Sequence, residues 1–128
     1  MLAAEPTDVV ARVSLAELLL EGDASAETAQ RVVALAAGTE NETYLHGALL
    51  LYQARALQVL GLTTAAREIL TTALRRTKDR PAELLLALRY ERALVYEALG
   101  EKSRAKADLE KVFIQHQAYA DVRARLGL

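Results

Sequence analysis

Two histidines, His46 and His116, are the residues best suited to acid–base or metal chemistry, and they stand far apart. Glu42 precedes His46 by four positions, so on a helix the carboxylate and the imidazole share one face, as half of a metal site would. A di-metal bundle draws Glu-x-x-His pairs from facing helices, and the sequence supplies none. The simpler reading of Glu42 and His46 is a surface pair in a helix's first turn. Ser14, Ser25 and Ser103 have no histidine or paired base beside them, and Ser25 and Ser103 stand where helix caps belong. Cysteine is absent, which excludes a thiolate nucleophile, a disulfide scaffold and the usual structural zinc site. No glycine-rich phosphate loop occurs. The residues therefore predict no catalytic site, no metal site and no cofactor.

Charge is the next possible carrier of function. Residues 1–64 hold eight acids and three bases, whereas residues 65–128 hold nine acids and thirteen bases, for a net charge of −1. The densest basic run is Arg75-Arg76-Thr77-Lys78-Asp79-Arg80. It reads either as a nucleic-acid patch or as a helix C-terminus whose cations suit the helix dipole, followed by a solvated loop. The second reading is preferred, because the run is short, the chain is net acidic and no aromatic is interleaved for base stacking. No apolar run approaches the roughly 20 residues of a membrane span. Residues 1–20 lack the basic start of a signal peptide, so a cytoplasmic protein is expected.

Helices must position whatever these residues do. The chain of 128 residues holds 25 Ala and 24 Leu but only nine Val, two Ile, one Phe and no Trp, which predicts an all-α domain. Stop and start signals divide it into three antiparallel hairpins, over about 7–38, 42–77 and 81–116, and a terminal helix over about 118–126. Pro6-Thr7-Asp8 opens the first helix, Ser25 caps the second, and Asn41 or Thr43 caps the third. Gly61 ends the third, Thr63 or Thr64 caps the fourth, Pro81 starts the fifth and Gly100 ends it. Met1–Pro6 reads as the end of a preceding repeat or as an arm covering the first hairpin.

The hairpins repeat one another. With Gly61 laid over Gly100, Ala54 meets Ala93, Leu57 meets Tyr96, Ala66 meets Ala105, Leu70 meets Leu109 and Ala73 meets Val112. Ala16 and Ala29 take the same places in the first hairpin. Small residues at these intervals let paired helices approach closely where they cross. This constellation resembles the tetratricopeptide repeat family, most clearly at Ala93-Leu94-Val95-Tyr96-Glu97-Ala98-Leu99-Gly100 followed by Ala105, Leu109 and Val112. The intervals between Ala16, Ala54 and Ala93 are 38 and 39 residues, longer than the family's period of about 34. The extra residues fall in the links after Gly38 and Thr77.

The resemblance implies a right-handed α-solenoid closed by a capping helix, whose concave wall is built from the first helix of each hairpin. Its function would be non-enzymatic binding of a protein or peptide segment. Glu17, Leu51, Tyr52, Arg55, Gln58, Tyr90, Leu94 and Glu97 would line the groove, with Leu51, Arg55, Tyr90 and Leu94 at its centre. Taken singly, Leu51 and Leu94 read rather as core between repeats, and Arg55 and Tyr90 rather as groove. The lysine and asparagine clamp with which some tetratricopeptide domains grip a terminal carboxylate is not carried over, since Glu17, Arg55 and Leu94 stand at those places. In the terminal helix, Tyr119, Val122 and Leu126 would cover the last hairpin while Asp121, Arg123 and Arg125 face water. The alternative function is a structural segment of a longer repeat protein that self-associates, as a homodimer or end to end.

Overall fold

The computed structural model describes residues 8–128, so Met1–Pro6 and the Pro6-Thr7 start signal lie outside the described residues. Seven helices and no strand occur among them: α1 (Val9–Gly22), α2 (Ala26–Ala36), α3 (Tyr44–Val59), α4 (Thr63–Leu74), α5 (Ala82–Ala98), α6 (Lys102–Gln115) and α7 (Val122–Arg125). The all-α expectation holds.

Local chemistry explains most boundaries. The Asp8 carboxylate accepts from the Val10 N–H at 3.1 Å, and the Ser25 hydroxyl accepts from the Thr28 N–H at 3.2 Å. Thr43 and His46 form a reciprocal capping box: the Thr43 hydroxyl accepts from the His46 N–H, and His46 Nδ1 accepts from the Thr43 N–H at 3.1 Å. Gly61 and Gly100 take φ of +76° and +77°, where a side chain would strain the backbone. The next residue then donates back into the helix just ended, Leu62 to Leu57 O and Glu101 to Tyr96 O, each at 2.8 Å.

That tight turn corrects several expected boundaries. The chain leaves each glycine directly into the next helix, so Leu62 and Glu101 hold the cap positions and bond no orphan N–H with a side chain. Thr63 and Thr64 fall inside α4 and Ser103 inside α6, so none of them is a cap. Asn41 is not a cap for α3 either. Its amide instead donates across 31 residues to Thr72 O at 2.9 Å, satisfying a carbonyl in the last turn of α4. Helix α4 stops at Leu74 rather than Thr77, and Asp79 in the following loop sits at φ +60°. The terminal helix is four residues long rather than nine, because Ala120 at φ +43° breaks the helical path just before it.

The repeated alanines lie where the helices cross. Ala16, Ala29, Ala54, Ala66 and Ala93 are fully buried and Ala105 is 2% exposed. Each helix packs on its successor through α6, and α1 also packs on α3 and α3 on α5. Among the described residues no close backbone approach joins α1 to α5, α2 to α4 or α4 to α6. The core accordingly forms three clusters. Ala16, Ala29 and Val32 hold Leu49 and Ala56 of α3; Leu51, Ala54 and Leu70 hold Leu88 and Val95 of α5; Leu86, Ala93, Leu109 and Val112 hold Val122. Gly47 eases the α3–α5 approach, since a Cβ there would lie 3.1 Å from a Leu84 methyl, which would have to give by a few tenths of an ångström.

One buried ion pair ties the second half together. Asp108 is 2% exposed and accepts from Arg92 Nε at 2.7 Å and from Nη2 at 2.8 Å. Arg92 also reaches Thr71 Oγ1 of α4 at 3.5 Å and lies 5.5 Å from the Tyr96 ring centre. The hydrogen bonds to Asp108, partly opposed by burial, raise the Arg92 pKa above its ordinary value.

Candidate functional site

Packing of α1, α3 and α5 brings together most of the groove residues expected from the sequence. Tyr52 Oη donates to Glu17 Oε2 at 3.1 Å, linking α3 to α1. Arg55 Nε donates to Glu91 Oε1 at 3.0 Å and Gln58 Nε2 to Glu91 Oε2 at 3.1 Å, linking α3 to α5. These links occupy equivalent places: Glu17 matches Arg55, and Tyr52 matches Glu91, under the same alanine register. The Arg55 guanidinium carbon lies 5.7 Å from the Tyr52 ring centre. Burial, then the Glu17 carboxylate, raises the Tyr52 pKa, so Tyr52 stays a neutral donor at ordinary pH.

Leu51 is placed differently from the expectation. It is 5% exposed and packs in the α3–α5 core, so it is core rather than the centre of a groove. Its neighbours on the ridge, Tyr52, Arg55 and Gln58, remain half-buried, as does Leu94 on α5. A shallow pocket of about 270 Å³ lies between α1 and α3, lined by Glu17, Leu20, Glu21, Tyr52 and Arg55.

The C-terminal segment covers the other end of the wall. The Tyr119 ring packs on Tyr90 with centres 5.5 Å apart, and the Tyr90 hydroxyl donates to Asp121. Arg125 Nε donates to the same Asp121 oxygen at 2.9 Å, and Arg125 Nη1 pairs with Glu97. Tyr90 and Glu97 are therefore engaged by the segment after α6. Asp121 and Arg125, expected to face only water, are exposed but bonded to the wall. Burial, then the Asp121 hydrogen bond, raises the Tyr90 pKa, and burial raises that of Tyr119. The Tyr90 hydroxyl, followed by Arg125, holds the Asp121 carboxyl below its ordinary value. Burial alone would lower the Arg125 pKa; hydrogen bonds to Asp121 and Tyr90 raise it on balance.

The residues first considered for chemistry have other partners. The His46 ring caps α3, and Glu42 pairs with Arg76 at 3.4 Å. No group of three His, Cys, Asp or Glu side chains that could hold a metal ion occurs among the described residues. The basic run borders a cleft of about 660 Å³, whose lining also holds Glu42, Tyr44 and Asp79. Arg80 Nη2 donates to Asn41 O at 3.2 Å, so Arg80 ties the α4–α5 loop to the α2–α3 loop. No helix among the described residues is long and apolar enough to cross a membrane.

The sequence reading did not single out Arg92, Asp108, the link of Asn41 to α4 or the wall contacts of the C-terminal segment. The first two are residue types common on any helix surface. Only the packing of α4, α5 and α6 makes them a pair, and the 16-residue separation carries no local signal. Comparison of the chain with family models, with curated proteins and with solved structures gives no match.

Proposed function

We propose that the three hairpins stack as a right-handed α-solenoid of tetratricopeptide type and serve as a non-enzymatic protein-interaction module, with a peptide segment received on the wall of α1, α3 and α5. The observation that carries this reading is the pair of equivalent bridges, Glu17 to Tyr52 and Arg55 to Glu91, one hairpin apart. Side chains bonded across neighbouring hairpins give a wall with little ordering left to lose on binding, and preorganisation of that kind favours affinity. The receiving surface is the half of the wall left open by the C-terminal segment, around the pocket of Glu17, Leu20, Glu21, Tyr52 and Arg55. Its leucine, tyrosine ring and two carboxylates suit a segment that presents an apolar side chain next to a basic one.

The test selects a ligand from a displayed random peptide library on the full chain, then titrates the selected peptide while amide resonances are followed. Shifts concentrated at Leu20, Glu21, Tyr52 and Arg55, with affinity about tenfold lower or worse in Glu17→Lys/Tyr52→Ala, are expected. Failure to enrich any peptide, or shifts that map away from α1 and α3, would refute the proposal.

A further inference from the structure

The two ends of the helix array carry complementary apolar features. At the first end, α1 turns an apolar stripe to solvent: Val10 is 52% exposed and Leu18 is 65% exposed, with Ser14 exposed between them. In the alanine register, which sets Ala16 over Ala54, Leu18 corresponds to Ala56 and Ala11 to Leu49. Leu49 and Ala56 are fully buried, because that stripe of α3 docks onto the preceding hairpin. On α1 the same register puts half-buried Ala11 and Leu15 and exposed Leu18 at the stripe's positions, with exposed Glu21 one turn after Leu18.

At the far end the complementary surface is only partly filled. The first hairpin receives α3 on Ala16 and Ala29, which correspond to Ala93 and Ala105. Val122 fills part of that surface, and a cavity of about 470 Å³ remains with Ala105, Leu109 and Leu126 on its floor. Lys102, Lys106, Arg125 and Glu97 stand around it, and the pairing of Glu97 with Arg125 leaves the two lysines as the rim's unpaired charges. Lys102 and Lys106 have no ion-pair partner among the described residues, and neither has Glu21 at the opposite end.

We infer that the chain associates head to tail with a second copy of itself, the Val10–Leu18 stripe of one molecule entering the Ala105–Leu109–Leu126 cavity of the next. The cationic rim selects this occupant: the hairpin that carries Leu18 lies in the acidic half of the chain, and the cavity lies in the basic half. The two surfaces differ, so each contact is heterologous and leaves one head and one tail free for further copies. The inference is independent of the peptide reading, because its test reads assembly through the two ends and needs no ligand.

Sedimentation velocity over a concentration series, with a Leu18→Arg variant and a Lys102→Glu/Lys106→Glu variant, tests it. All three positions are exposed, so both variants keep the circular dichroism of the parent. The parent protein forms a growing series of species at low salt that shrinks as salt is added. Each variant alone associates about tenfold more weakly or not at all. An equimolar mixture of the two forms a dimer and stops there, since one variant retains the head and the other the tail. A parent that stays monomeric up to about 1 mM, variants that still associate alone, or a mixture that stays monomeric would each overturn the inference.

Discussion

Replacing Asp108 with isoleucine tests the energetics of the fold where they are most concentrated. Two short charge-assisted bonds from Arg92, at 2.7 and 2.8 Å, converge on a carboxylate that is 2% exposed. Removing one partner of a buried pair typically costs about 3–5 kcal/mol, because the other charge is left without its counterpart. The Arg92 side chain keeps 17% exposure, the Thr71 hydroxyl and the Tyr96 ring, so the lower end of that range applies. A loss of about 3 kcal/mol corresponds to a fall in Tm of roughly 10 °C for a chain of this size. The repeat supplies its own control. The preceding hairpin has Gln53 and Ile69 at the places of Arg92 and Asp108, and these neutral residues pack at the same junction. The double variant Arg92→Gln/Asp108→Ile therefore loses less than Asp108→Ile alone, by about 1.5 kcal/mol or more. Urea unfolding followed by far-ultraviolet circular dichroism reads all members of the cycle. A cost below about 1 kcal/mol for Asp108→Ile, or a double variant equal to the sum of the singles within about 0.5 kcal/mol, would refute the reasoning.

Two further predictions follow from packing and titration. Ala66→Leu forces a larger side chain into a fully buried helix crossing and costs about 1–3 kcal/mol, read by the same urea titration; an unchanged midpoint would mean that the crossing can yield. The docked C-terminal segment depends on an ionised Asp121, whose pKa lies below the ordinary value of about 3.9, so its contribution is complete above that value and is lost as pH falls through the lower folded one. The resonances of Tyr90 therefore stay unchanged from neutral pH to about pH 5 and move only in the acid range below about pH 3.9; their movement near neutrality would contradict the Tyr90–Asp121 contact.

How much of this was legible in the sequence differs by feature. The crossings were legible because alanine is informative when it recurs at one register, and the six repeated alanines all proved buried. Ser25 and Thr43 were legible as caps because the chain enters α2 and α4's neighbour α3 through extended residues. Thr63 and Ser103 carried the same signal and were misleading, since the chain enters the next helix so soon after Gly61 and Gly100 that Leu62 and Glu101 take the cap positions. The short α7 was hidden because an alanine at positive φ has no sequence signature. Tyr52, Arg55 and Gln58 were placed together by the family resemblance, and in the structure they share one half-buried ridge of α3. Leu51 was open to both readings because a leucine one position from that ridge can turn to either side, and here it faces α5. Asn41 and Asp108 act across 31 and 16 residues, and a periodic pattern does not encode such links.

The stacked arrangement itself is tested most directly by distances between spin labels on equivalent residues of α2, α4 and α6. Cysteine is absent, so pairs of cysteines introduced at the exposed positions Glu27, Thr64 and Ser103 are labelled uniquely. Helix packing adds about 8–10 Å at each interaxial step, so a stack of hairpins makes the Glu27–Ser103 separation roughly twice the Glu27–Thr64 separation. Three nearly equal separations would mean a closed bundle and would contradict both the stack and the wall that depends on it.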